Sequence, residues 1–247
     1  MVQIENMDGN NYLVRKKMKK LSLLIIASFF ICLSSMGFAD ETAAIELSIE
    51  EILARADSVA KVNDSLFAAA KYKFEAFTVF QRLNKDGSVK DTDTTISKIT
   101  KRGDEELDRE IIYSSSGDTE SKKVKKHEKE ISLSFSDPEY NFSLAEITDD
   151  SYKISIEPQN TPPKEGQYQG TLLIDKERFF TKRIDFIVPK PEGALKEFSI
   201  ALNFESLEGG LVVPVDMKMK GLVKVLLGII RIRFAGEFKF SKYEILE

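Results

Sequence analysis

Tryptophan is absent from the 247-residue chain, and cysteine and histidine occur once each. The cysteine, Cys32, lies inside an apolar run, so everything downstream of it is without disulfides and without thiol chemistry. The histidine, His127, stands in Lys122-Lys123-Val124-Lys125-Lys126-His127-Glu128-Lys129-Glu130. A general base needs a fixed site beside its nucleophile, and a solvated, charged loop does not supply one. Zinc would have to be held by carboxylates almost alone. Asn84-Lys85-Asp86-Gly87 with Asp91-Thr92-Asp93 lacks the spacing and terminal Glu of a calcium loop and reads as a hairpin turn. A phosphate-binding glycine loop and a nucleophile elbow are missing as well. The adjacent acids Asp149-Asp150 are the one weak pointer to glycoside chemistry, which needs two carboxyl groups facing each other across a bond. No catalytic residue, cofactor site or metal site is therefore expected, and the reading is non-enzymatic.

Long apolar runs are also missing. The longest, from Leu21 to Leu33, falls short of the roughly 20 residues that span a bilayer as a helix. It follows Arg15-Lys16-Lys17-Met18-Lys19-Lys20 and ends in Ser34-Ser35-Met36-Gly37-Phe38-Ala39, the three parts of a secretory signal peptide. The expected organisation is a misassigned extension over 1–17, a signal peptide over 18–39, and a single β domain over 40–247 in the periplasm. The bulky Phe29-Phe30-Ile31 before Cys32 argues against lipidation. Removing 1–39 takes away five Lys or Arg and two Asp or Glu, which leaves 31 positive against 38 negative side chains, net −7. An acidic chain is a poor partner for nucleic acid, whose phosphates are bound by Lys and Arg.

One helix is well signalled. In Leu47-Ser48-Ile49-Glu50-Glu51-Ile52-Leu53, Ser48 and Glu51 form a capping box and Leu47 is placed to staple onto Ile52. Ile49, Ile52, Leu53, Ala56, Val59 and Ala60 then share one helical face. From Lys71 the period changes to two: Tyr72, Phe74, Ala76, Thr78 and Phe80 alternate with their neighbours, and Asp86-Gly87 turns the chain into a polar return strand. Further strands are expected at Glu105 to Tyr113, Ile131-Leu133-Phe135, Tyr152-Ile154-Ile156, Leu172-Ile174 and Ile184-Phe186-Val188. Others follow at Phe198-Ile200-Leu202-Phe204, Val213-Val215-Met217-Met219 and Ile232-Phe234-Phe238-Phe240. The short turns Lys176-Glu177-Arg178, Pro189-Lys190-Pro191-Glu192-Gly193 and Glu208-Gly209-Gly210 imply an antiparallel meander. Residues 114–130 read as a mobile, charged loop.

The fold class is thus mainly β with an N-terminal helix. Many one-faced strands with one helix to cover them must form a sandwich, close on themselves, or leave a curved wall for a helix or a ligand. The 14 Phe downstream of residue 39, with Leu, Ile and Met, suit an ordinary core or an adaptable apolar pocket. The stretch Gly221-Leu222-Val223-Lys224-Val225-Leu226-Leu227-Gly228-Ile229-Ile230 breaks the alternation. A strand buried on both faces is the first expectation for it. A turn that pushes aliphatic side chains outward, as a membrane- or ligand-facing lip, is the alternative.

The helix "IEEILARADSVAK" leading to "KYKFEAFTVF", the strand pair in "GQYQGTLLIDKERFFTKRIDF", and the aromatic strand, Gly turn and Val-Pro strand of "ALNFESLEGGLVVPVDMKMKG" together resemble the family of outer-membrane lipoprotein-sorting proteins, the periplasmic lipoprotein carriers. The resemblance implies an unclosed antiparallel half-barrel with a helical lid whose apolar interior holds acyl chains. It also implies a role in transport and outer-membrane biogenesis, with a lipid or acylated lipoprotein client as partner and transient membrane contact. The chain departs from the family pattern in lacking Trp, in showing one clear lid helix and in its charged loop. No counterpart of the inner arginine with which the carriers latch the lid is apparent. The candidate cavity wall is Phe198, Ile200, Leu202, Phe204, Met217, Met219, Ile232, Phe234, Phe238 and Phe240, with alternation naming each set but not which face is concave. The alternative is an envelope protein-interaction module with a fully packed sheet and a protein partner. An envelope-polymer hydrolase is the weaker third reading.

Overall fold

The one helix among the described residues, α1 (Ile49–Ala69), begins where its capping box places it: Ser48 donates its N–H to Glu51 Oε2 (3.1 Å), and Glu51 donates its own to Ser48 Oγ (3.2 Å). It continues about two turns past the last apolar residue traced in the sequence, to Ala69. There Phe67 lands 4.9 Å from the ring of Tyr72. The structure is a computed structural model that describes residues 47–117, 135, 137–225 and 230–246. The expected extension and signal peptide, Cys32, His127, most of the 114–130 loop and the crowded aliphatics 226–229 lie outside the described residues. Leu47–Glu247 form one compact unit.

Ten strands follow the helix: β1 (Lys71–Leu83), β2 (Val89–Arg102), β3 (Glu105–Ser114), β4 (Tyr140–Ile147), β5 (Ser151–Pro158), β6 (Gln169–Asp175), β7 (Thr181–Val188), β8 (Leu195–Ser206), β9 (Val212–Val225) and β10 (Ile230–Leu246). They make one antiparallel sheet in the order β3-β2-β1-β10-β9-β8-β7-β6-β5-β4. The late strands form the meander that their short turns imply, and β10 then returns to pair with β1. β3 and β4 are the two edges and do not pair with each other, so the sheet is not closed.

Two expectations about elements need correction. Phe135 is in a turn rather than a strand, buried against the core, while Ile131 and Leu133 lie outside the described residues. β4 was not foreseen, although Tyr140, Phe142 and Leu144 alternate. The preceding Asp137-Pro138 and the following Thr148-Asp149-Asp150 read as loop and shorten the apparent run.

The pairing registers define the two faces of the sheet, because residues directly opposite share a side. One face carries Leu144 and Phe142 of β4, Ile154 and Ile156 of β5, Leu172 of β6, Ile184 and Phe186 of β7, and Leu202, Ile200 and Phe198 of β8. It continues through Met217 and Met219 of β9, Phe234 and Phe238 of β10, Ala76 and Phe74 of β1 and Ile99 of β2. The helix covers this inner face. Its N-terminal half buries Ile52, Leu53 and Ala56 against β5 to β7, and its C-terminal end joins a second cluster of Tyr72, Phe74, Ala76 and Ile99. One helix about 10 Å wide packs on both halves of a ten-stranded sheet, and the sheet curves around it.

Candidate functional site

The packing of the inner face is uneven. Beneath α1, Ile154, Ile156, Leu172, Ile174, Ile184 and Phe186 are buried. On the neighbouring β8 to β10 the row is equally apolar, yet none of the ten wall residues named from the sequence is buried. The registers place nine of them on one face: Phe198 stands opposite Gly221, Ile200 opposite Met219 and Leu202 opposite Met217. Across β9, Phe234 also stands opposite Gly221 and Phe238 opposite Met217, and Phe240 faces Ala76. Ile232 shares that side, opposite Val223. Phe204 follows a bulge in β8 and reaches the same core.

These residues divide into two groups. Ile200, Leu202 and Phe204 pack on the first cluster and Phe240 on the second. Phe198, Met217, Met219, Ile232, Phe234 and Phe238 belong to neither cluster. Here the rings of Phe234 and Phe238 occupy the space that a side chain at Gly221 or Gly236 would need. A Cβ at Gly221 would sit 2.5 Å from Phe234 Cζ, and one at Gly236 would sit 2.9 Å from Phe238 Cε2 and 3.1 Å from Met219 Cγ. Phe80 of β1 stacks on Phe234 at 5.8 Å. The result is a smooth aromatic and thioether floor.

At the other end of the inner face, α1 and the sheet enclose a cleft of about 610 Å³. Its apolar wall includes Val59, Phe67, Phe135, Phe180, Ile184 and Phe204, and Asn63, Asp64, Asp104 and Thr181 bring polar groups to it. The volume lies in the range of small-molecule sites. Sequence reasoning missed the group that holds the helix over this cleft. Asn63 accepts from the Val212 N–H (2.7 Å) and donates to the Val212 carbonyl (3.3 Å), so its carboxamide pairs with β9 as another strand would. Arg55 adds a second tie, 5.0 Å above the Phe179 ring in the β6–β7 turn. An Asn on a helix is too common for sequence alone to single out.

A second hollow, about 560 Å³, lies where the β1–β2 turn meets β8 to β10, between Leu83, Lys85, Ile187, Glu197, Lys220 and Arg233. Phe198 and Phe234 border it. In the stretch before β10, Leu222 is buried, Val225 and Ile230 are register partners, and Ile230 is exposed. Leu226, Leu227 and Ile229, on which the choice between a buried strand and an outward turn rests, lie outside the described residues.

The acids considered for glycoside chemistry serve a turn. Asp150 accepts from Lys182 Nζ (2.6 Å), Ser151 Oγ (2.9 Å) and Thr148 Oγ1 (3.1 Å). The Lys182 hydrogen bond, followed by the two hydroxyls, holds its carboxyl down to about 2, whereas a general acid needs its pKa raised. Among the described residues no group of three or more His, Cys, Asp or Glu is placed to hold a metal, and no helix is long and apolar enough to cross a membrane.

No protein-family model and no curated protein matches this chain. Among solved structures it is similar to the LolA superfamily protein NE2245 from Nitrosomonas europaea, at 12% identity over 81% of this chain and 94% of that one, TM-score 0.40. It is also similar to a putative outer membrane lipoprotein-sorting protein domain from Vibrio parahaemolyticus, at 14% identity over 80% and 94%, TM-score 0.41. A third is a DUF1329 family protein from Desulfovibrio piger, at 15% identity over 78% and 92%, TM-score 0.33.

Proposed function

We propose that this is an exported, periplasmic, non-enzymatic binding protein of the lipoprotein-carrier kind, which holds an acyl chain of a lipid or acylated client against the inner face of β8 to β10. One observation carries the reading: six large apolar side chains of the inner face, Phe198, Met217, Met219, Ile232, Phe234 and Phe238, join neither packed cluster. Fully burying such a side chain is worth about 1.5–3 kcal/mol. A chain that leaves six of them short of that burial on its concave side has surface for a guest to cover. Flat rings and flexible thioethers repack around a chain of methylenes without directional demands. The helix-covered cleft, with Asn63, Asp64, Asp104 and Thr181 among apolar walls, offers room for a more polar portion of the same guest.

Native mass spectrometry of the protein purified without detergent from its producing cell, followed by solvent extraction, tests this. The expected result is a co-purified lipid or acyl-bearing molecule near one per chain, and restored binding when the stripped protein is offered a fluorescent fatty acid. An apo mass together with no uptake of the probe would remove the acyl-chain reading and leave the envelope protein-interaction module in its place.

A further inference from the structure

We infer that the end of the sheet built on the β9–β10 hairpin is a docking surface for an anionic lipid bilayer. The inference does not need the inner face to hold an acyl chain, although Ile232 belongs to both surfaces. Five large apolar side chains at this end are exposed: Phe80 (37%), Val89 (51%), Ile187 (50%), Ile230 (42%) and Ile232 (40%). They come from β1, β2, β7 and β10, and they stand on both sides of the sheet.

The charge beside them runs against the rest of the molecule. From Lys218 to Arg233 the chain carries Lys218, Lys220, Lys224, Arg231 and Arg233 and no acidic residue, in a protein whose net charge is −4. All five share the face opposite to Ile232 and Phe234. Two have acidic neighbours: Lys218 stands opposite Glu237, and Arg233 contacts Glu197 Oε2 at 3.2 Å. Lys220 stands between Ala235 and Ser199, and Lys224 stands directly opposite Arg231. Like charges directly opposed across two strands destabilise the pair. Among the described residues no acidic residue stands directly opposite Lys220, Lys224 or Arg231; Lys220 has Glu197 and Glu237 diagonal to it on its own face, Lys224 has Glu197, which Arg233 already engages, and Arg231 has no such acid. For Lys224 and Arg231, a local rule broken with no acid directly opposite either residue points to a compensating charge outside the fold.

The partner must therefore be apolar and anionic within the thickness of one sheet. A bilayer interface meets that demand, because its acyl boundary and its phosphates lie within 5–10 Å of each other. Long Lys and Arg side chains can snorkel to the phosphates while the aliphatic groups beside them enter the boundary. An acidic peptide would satisfy the cationic row and leave the exposed aliphatics on the other side of the sheet uncovered.

Vesicle co-flotation of the protein as purified from its producing cell is the test, using vesicles of phosphatidylglycerol with phosphatidylcholine and vesicles of phosphatidylcholine alone. Binding is expected on the anionic vesicles and should fall steeply at about 1 M salt, where the screening length is about 3 Å. Lys224→Gln with Arg231→Gln should weaken partitioning about 30-fold, about fivefold for each cation removed near the surface, with a melting temperature unchanged or higher. Ile230→Ser with Ile187→Ser should weaken it at both low and high salt. Equal binding to both vesicle types, or anionic binding that neither double variant reduces, would overturn the inference. So would binding of soluble glycerol phosphate without flotation on either vesicle, which would make this a small-anion site, or capture by polyglutamate alone, which would make it a protein site.

Discussion

Asp150 and Gly170 show how differently single residues matter in this protein. Asp150 is fully exposed, and its carboxyl is held low chiefly by the Lys182 hydrogen bond. Because its folded pKa lies below the ordinary 3.8, its contribution to stability is present above that value and is lost as pH falls through about 2. In a carboxyl NMR titration Asp150 should titrate near 2, and Lys182→Ala should move it upward. A titration near 3.8 in the parent protein would mean that the turn does not hold the carboxylate in solution. Gly170 acts through space alone: a Cβ there would collide with the Asp185 carbonyl and come within 2.9 Å of Phe186 Cδ1. Gly170→Ala should therefore cost about 3 kcal/mol in urea unfolding, as overpacking against backbone does. A cost below about 1 kcal/mol would show that β6 and β7 can separate at low cost.

At the scale of elements, the helix start and the strand pairs were readable because their signals are local. A capping box needs four consecutive residues, and a strand face needs a run of alternation. Ser48→Ala removes the acceptor of the Glu51 N–H and should destabilise the protein by about 1 kcal/mol, seen in thermal unfolding; no change would mean that packing of Leu47 and Ile52 suffices to start α1. In the β9–β10 hairpin, Arg231→Gln relieves the repulsion from Lys224 and should raise stability by a few tenths of a kcal/mol; a loss on chemical denaturation would mean that the cations are compensated within the fold. β4 escaped sequence reading because loop residues close to both of its ends hide a short alternation. The Asn63 latch escaped because its partner, Val212, is 149 positions away.

For the molecule as a whole, burial raises the phenols of Tyr72, Tyr168 and Tyr243 above their ordinary value of 10.0. Tyr72 donates to the Gly103 carbonyl and Tyr243 to that of Pro214, so these phenols tie distant parts of the sheet together. A raised folded pKa leaves stability intact below pH 10 and removes it progressively above. Circular dichroism should show a plateau up to about pH 10 and then unfolding, and an alkaline transition unaltered by Tyr72→Phe with Tyr243→Phe would assign the loss to other groups. The sequence by itself determined the class of the fold, the turns of the meander and the membership of the apolar rows, since period, capping and turn chemistry act between near neighbours in the chain. Only the tertiary structure decided which face is inner, that β10 closes back on β1, and that nine pairings among ten strands leave β3 and β4 at the edges, unpaired with each other. It also decided which part of one continuous apolar row is packed and which is not. Alternation is the same in a dry core and in an uncovered wall; the difference lies in where α1 comes to rest, and that depends on contacts such as Asn63 with Val212 that no local pattern encodes.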